Sequence, residues 1–187
     1  MNHGMPPYAI GMRLALAASP TIQTLMPDLT AETGLGRRMT LLICPDLINT
    51  QNLGAVIRSA AALGVDAMIL GERCCDPFFR QSVRVSMGAV FTLPIVRSAD
   101  LLADLRQLRD RWSVDLVATV LDPAAEPLPQ ARRSERLGLL LGSEDRGLGE
   151  PWLSACRRRV TLPMSRGTDS LNVAAAAAVF LYHFARL

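Results

Sequence analysis

The chain contains no lysine, so all twenty of its basic residues are arginine. Each positive charge is therefore a planar donor fork that stays protonated and matches phosphate geometry. Histidine is scarce as well, present only as His3 and His183. The four cysteines, Cys44, Cys74, Cys75 and Cys156, form no Cys-x-x-Cys pair. So few ligands at such spacing argue against a metal site and for reduced, buried thiols in a cytoplasmic protein. No apolar run approaches the roughly 18 residues of a membrane span. No basic segment leads into an apolar stretch and a cleavage site, which speaks against secretion. Aromatic residues make up only 5% of a chain that is 50% hydrophobic, a balance that excludes a disordered tail, a collagen-like fibre and a supercharged nucleic-acid arm.

What is present fits one domain with little left over, at 187 residues and 20.3 kDa. The net charge of +3 and a pI near 8.9 permit a polyanionic partner without requiring one. Short clusters stand at Arg37-Arg38, Arg132-Arg133 and Arg157-Arg158-Arg159, each readable as solvated surface charge or as a phosphate contact. Residues 1–38 are broken by prolines at 6, 7, 20 and 27 and glycines at 34 and 36. They read as an extension or lead-in arm with one short helix around Gly11–Ala18, leaving residues 39–187 as the domain.

From Met39 onward, buried-strand patterns alternate with helical ones. Thr40–Cys44, Asp66–Leu70, Val90–Val96, Asp115–Val120, Leu137–Leu141 and Arg159–Leu162 read as strands. Gln51–Leu63, Phe78–Val85, Ala99–Arg109 and Ser170–Ala185 read as helices. This alternation predicts an α/β fold with a mostly parallel sheet covered by helices on both faces. The alanine run 174–178 predicts close helix packing, against the core or a second subunit.

Three segments have the composition of a chemical site. In Asn49–Arg58, Asn49 or Thr50 can cap a helix on which Gln51, Gly54 and Arg58 share a face. Arg58 would lean back over Gly54 toward the helix start, where free N–H groups favour an anion, and Asn52 adds a donor and an acceptor. In Leu141–Gly149 an apolar strand runs into Gly142, Glu144, Gly147 and Gly149. Ligands of open α/β sheets bind beyond such strand ends, and Gly142 would let one approach the backbone. In Leu162–Val173 a strand end and polar loop lead to a helix start bearing Ser170 and Asn172, with Thr168 or Asp169 as cap. No histidine stands where a serine nucleophile would need a base. A nucleotide-binding enzyme is disfavoured, because the 142–149 loop lacks the Gly-Lys-Ser/Thr of a P-loop and the spacing of a dinucleotide fingerprint.

Taken in order, Asn52-Leu-Gly54-Ala-Val-Ile-Arg58, Gly142-Ser-Glu144-Asp-Arg-Gly147 and Pro163-Met164 … Ser170-Leu171-Asn172-Val173 resemble the SpoU (TrmH-type) branch of the SPOUT methyltransferases. Asp76-Pro77-Phe78 … Arg84-Val-Ser86-Met87-Gly88-Ala89 is also similar to that family. The resemblance implies a C-terminal trefoil knot, a homodimer with the active site near its interface, and methyl transfer from S-adenosylmethionine to a ribose 2′-hydroxyl of tRNA or rRNA, without a metal. It places the cofactor against Gly142, Leu162, Met164 and Leu171, with the loop from Thr119 closing over it. The same resemblance gives Arg58 the target phosphate, and gives Asn52, Glu144, Ser170 and Asn172 the ribose, the proton or the shape of the site. Family proposals make the arginine a base. Its guanidinium gives up a proton so reluctantly that gripping phosphate and stabilising charge suit it better, with Glu144 the alternative acceptor if the site buries it. Two departures stand out: Ala174 replaces a serine common in relatives, and residues 1–38 are too few for the separate RNA-binding domain of many ribosomal members. A non-catalytic RNA-binding protein that retains the fold is the other reading, opposed by the joint presence of Asn52, Arg58, Glu144 and Asn172.

Overall fold

A computed structural model describes residues 21–33, 38–165 and 170–186. Seven strands form one parallel sheet: β1 (Met39–Cys44), β2 (Ala67–Leu70), β3 (Ile95–Arg97), β4 (Asp115–Val120), β5 (Glu126–Pro127), β6 (Arg136–Leu140) and β7 (Arg158–Thr161). Their spatial order is β3-β2-β1-β6-β4-β7-β5. Strand β6 thus enters between β1 and β4, and β7 between β4 and β5, each slotting between strands earlier in the chain. Because every pairing is parallel, all strand C-termini reach the same edge, where such sheets hold ligands. The outer strands are three and two residues long.

Alternating side chains divide the sheet into two faces. Leu42, Met68, Val117, Leu139 and Val160 meet α2 (Thr50–Ala62) and α6 (Val173–Arg186). Leu41, Ile43, Ile69, Leu116 and Leu140 meet α1 (Ile22–Thr33) and α4 (Leu101–Asp110), with α5 (Glu150–Ala155) at their margin. The three-layer α/β arrangement expected from the alternation is present.

The lead-in reading is corrected over part of its length. Ile22, Leu25, Met26 and Leu29 of α1 are buried in the same cluster as Leu101, Leu105 and Leu108 of α4, so the core extends across the expected boundary at residue 38. Their i, i+3, i+4, i+7 spacing carries a helical signal that Pro20 and Pro27 mask, although Pro27 sits inside the helix. The piece expected at Gly11–Ala18 lies outside the described residues.

Val90–Val96 is also corrected, since only Ile95–Arg97 is strand and Ala89–Phe91 is a 3-10 turn. Pro94 has no N–H for the ladder, and its carbonyl, accepting from Met68 N at 2.8 Å, begins the pairing. The last helix starts at Val173 rather than Ser170. The proline-bearing stretch before β6 supplies β5, unrecognised in the sequence.

Two of the arginine clusters are partly structural. Arg158 donates to both carboxylate oxygens of Glu126 at 2.9–3.1 Å and to Asp115 at 3.2 Å, tying β7 to β5 and β4. Arg133 donates to Thr40 Oγ1 at 2.7 Å and to the Ser134 carbonyl at 2.9 Å. Neither is simple solvated charge. Among the cysteines, Cys44 and Cys74 are buried, and Cys74 donates to the Cys44 carbonyl at 2.9 Å. Burial pushes the Cys75 thiol up to about 11 and the Cys156 thiol up to about 12, so neither is a thiolate near neutral pH.

Helix α3 (Arg80–Val85) lies against α2 at Gly54. A Cβ there would stand 2.7 Å from the Ser82 carbonyl oxygen and 2.8 Å from Val85 Cβ. Gly54 is thus a close-approach residue for α3, rather than an opening over which Arg58 extends. Gly54→Ala is expected to cost about 1–3 kcal/mol through overpacking, read as a lower urea midpoint at unchanged slope.

Candidate active site

The carboxyl ends of β4, β6 and β7 open into a cavity of about 640 Å³. Its lining includes all five residues assigned to the cofactor, Thr119, Gly142, Leu162, Met164 and Leu171, together with Glu144, Ser170 and Asn172. Three carboxylates (Asp122, Glu144 and Asp145) and two guanidiniums (Arg146 and Arg159) surround an otherwise largely apolar surface that Phe180 and Ala176 of α6 help to form. Arg159, Ala176 and Phe180 carry no motif and were not found by sequence reasoning. Their traces were the 157–159 arginine cluster, which marked Arg159 only as surface charge or a phosphate contact, and the alanine run, whose Ala177 is fully buried while Ala176 leaves room in the cavity.

The 142–147 loop is a tight turn. Ser143 N donates to the Gly147 carbonyl at 3.1 Å, and Gly147 N donates back at 3.0 Å. Gly147 adopts φ +62°, in the left-handed region that glycine tolerates. A Cβ on Gly142 would lie 2.4 Å from the Gly147 carbonyl carbon. The missing side chain at 142 therefore lets the turn close on itself, which refines the expectation of space for a ligand. Thr119 is fixed by donation from its hydroxyl to the Leu140 carbonyl at 2.9 Å.

The three motifs meet through side-chain amides. Asn52 Nδ2 donates to Glu144 Oε1, and Asn52 Oδ1 accepts from Asn172 Nδ2 at 3.0 Å. Asn172 in turn caps α6, its Oδ1 accepting from Ala174 N at 2.9 Å. This replaces the cap expected from Thr168 or Asp169, which lie outside the described residues. At the start of α2, Asn49 is the cap, accepting from Gln51 N at 2.9 Å and Asn52 N at 3.1 Å. Asn52 is thereby placed on the first turn of one helix, Asn172 at the cap of another, and Glu144 on the turn between strand and helix. Glu144 is exposed, so the burial invoked for it as a proton acceptor is absent here.

Arg58 is not among the cavity-lining residues. It is exposed on α2, six residues and about 9 Å of helix rise beyond Asn52. Ser170 is exposed at the cavity rim. Among the described residues no three His, Cys, Asp or Glu side chains are grouped to hold a metal, and no helix is long and apolar enough to cross a membrane.

Because Asn172 both caps α6 and donates to Asn52, its two roles are separable. Asn172→Ala is expected to lose about 1 kcal/mol of stability, whereas Asn172→Asp keeps the cap acceptor and should melt close to the parent while losing the donor to Asn52. Thermal melts of the two variants check this.

Comparison with known proteins places this geometry in a family. Residues 39–182 match the SpoU rRNA methylase family. An uncharacterised tRNA/rRNA methyltransferase of Mycobacterium bovis is 41% identical over 150 residues, 79% of this chain and 52% of its own length. The 23S rRNA guanosine-2′-O-methyltransferase RlmP of Bacillus subtilis is 32% identical over 152 residues, 81% of this chain and 60% of its own length. Among solved structures, the SpoU methyltransferase AviRb of Streptomyces viridochromogenes, in complex with the cofactor AdoMet, superposes with a TM-score of 0.74 at 28% identity, covering 83% of this chain and 60% of that one. The chain spans about half to three-fifths of the length of these curated relatives. With a family match across most of its length and the three motifs joined at one cavity, the chain belongs to the SpoU rRNA methylase family.

Proposed function

We propose that this chain transfers a methyl group from S-adenosylmethionine to a ribose 2′-hydroxyl of tRNA or rRNA, acting in the cytoplasm as a homodimer with a knotted C-terminal half. The observation that carries the reading is the hydrogen-bonded chain Asn172–Asn52–Glu144, which ties the first family motif to residues of the other two that line one cavity. The names of the relatives support the class of reaction, and that of the Bacillus subtilis protein supports a ribose 2′-oxygen as acceptor.

The residues present fit the cofactor. A cavity of about 640 Å³ suits a ligand of that size. Its acids outnumber its arginines by one, complementing a ligand with net positive charge. Leu162, Met164 and Leu171 would flank the adenosyl part, and the backbone at Gly142 would offer its polar groups. When bound, S-adenosylmethionine supplies a methyl group already activated on a sulfonium.

The protein then has to align the hydroxyl and manage its proton. Asn52 and Asn172 hold each other in fixed amide orientations, so their free valences would position the ribose. Glu144 keeps one carboxylate oxygen, Oε2, for a proton or a hydroxyl. Ser170 stands at the rim where the ribose would enter. Arg58 would hold the phosphate beside the target ribose and stabilise charge as the hydroxyl is deprotonated. Exposed Val179 and Tyr182 of α6 support a second copy seated near the cavity.

Labelled-methyl incorporation into RNA, with 2′-O-methyl sites mapped in the presence and absence of the protein, tests the reading. Arg58→Ala is expected to abolish transfer while leaving S-adenosylmethionine titration nearly unchanged; comparable turnover would remove Arg58 from the reaction. Gly142→Ala should do the opposite at the binding step. By forcing the 142–147 turn open, it is expected to weaken cofactor affinity at least tenfold in a calorimetric titration.

A further inference from the structure

The 76–91 segment exposes a group of large apolar side chains that the core does not use. Phe79 is 53% exposed, Met87 73% and Phe91 49%. Phe91 stacks on Phe78, with ring centroids 6.3 Å apart and planes 20° off parallel. Met87 has φ +53°, a left-handed conformation that costs a non-glycine side chain energy.

The group is rigidly based. Arg97 donates to the carbonyls of Glu72, Cys74 and Cys75 at 2.8–3.2 Å, and Asp76 Oδ1 accepts from Phe78 N at 2.9 Å. It also adjoins the candidate site, because Ser82 donates to the Thr50 carbonyl at 3.1 Å and Val85 packs on Gly54. Helix α3 thus runs alongside the helix that carries Asn52.

Its charge has one sign. No acid occurs between Asp76 and Asp100, nor anywhere on α2. Arg80 and Arg84 on α3 and Arg58 on α2 are exposed, and among the described residues their guanidiniums make no hydrogen bond or ion pair. Exposed rings and a thioether beside unpaired guanidiniums suit an anionic ligand with flat faces. In a paired helix the bases cover each other, whereas an unpaired strand offers both stackable faces and phosphates. A second copy suits the surface less well, since a twofold contact through this face would set arginines against arginines.

We infer that the Phe79–Met87–Phe91 face is a docking platform for an unpaired RNA segment next to the methylated nucleotide, with bases on the apolar side chains and phosphates on Arg80 and Arg84. This rests on the methyl-transfer reading for the identity of the RNA, but not for the binding itself.

The test is fluorescence anisotropy of a labelled single-stranded RNA and its duplex against the whole chain, its Phe79→Ser/Met87→Ser variant and its Arg84→Gln variant. The parent should prefer the single strand. The double variant should lose about tenfold or more in that affinity, the scale of one stacked base, with S-adenosylmethionine binding and melting temperature unchanged as proof of folding. Arg84→Gln should reduce the salt slope by about one phosphate contact. In methyl transfer, KM for RNA should rise while kcat holds. Unaltered single-strand affinity in the double variant, equal binding of duplex, or a loss that tracks dissociation into monomers in sedimentation would overturn the platform. The two readings fail separately: a parent that binds single strands through this face but transfers no methyl group defeats the methyl-transfer reading alone. A parent that methylates RNA with KM indifferent to the double variant defeats the platform alone.

Discussion

One amide group holds the candidate site together. Asn52 spends one N–H on Glu144 and its carbonyl oxygen on Asn172, residues 92 and 120 positions away along the chain. An amide oxygen has no hydrogen to give a carboxylate, so the Asn52 amide can face only one way, and the Asn172 amide is then fixed by its own cap bond. Such a bridge needs the starts of α2 and α6 and the end of β6 at one place. The parallel sheet supplies that, because inserting β6 next to β1 brings the turn after β6 beside the helix that follows β1. The alanines of α6 supply the rest, since α6 can approach α2 only where its facing side chains are small.

Much of this was legible in the sequence because it is local. Apolar runs gave five of the seven strands, four of them closed by Gly or Pro, and helical spacing gave α2 and α4, with Asn49 or Thr50 marked as the cap of α2. The residues assigned to the cofactor come from three separate segments, yet each segment is a strand end or the approach to a helix, the places where a parallel sheet gathers loops. What stayed hidden was non-local. Gly54 read as room for the Arg58 side chain and Gly142 as room for a ligand, but the contacts that fill them come from Ser82, Val85 and Gly147. No spacing rule anticipates a neighbouring helix or a turn folding back. Helix α1 was concealed by Pro27, whose local penalty is overruled by the burial of Ile22, Leu25, Met26 and Leu29. Phe180 lines the cavity from a position that nothing in its own surroundings marks, and the 157–159 cluster does not tell Arg159, which faces the cavity, from its neighbours.

Reliance on arginine alone divides the positive charge between two tasks. Arg97, Arg133 and Arg158 each spread several N–H groups over carbonyls, hydroxyls or carboxylates inside the fold, a use for which a compact ammonium lacks the geometry. Arg58, Arg80 and Arg84 are left outside without partners among the described residues. Adjacent residues in one cluster can belong to different groups, as Arg158 is tied to Glu126 while Arg159 faces the cavity. A count of basic residues therefore overstates the charge that a polyanion would meet.

The sheet's margins also limit how copies of this chain can join. One border offers three residues, and the other offers two, one of them Pro127, which has no N–H to donate. Among the described residues, borders this short offer little template for a neighbouring strand, which shifts any joining of copies toward helix surfaces and loops, where side-chain fit rather than backbone pairing selects the partner.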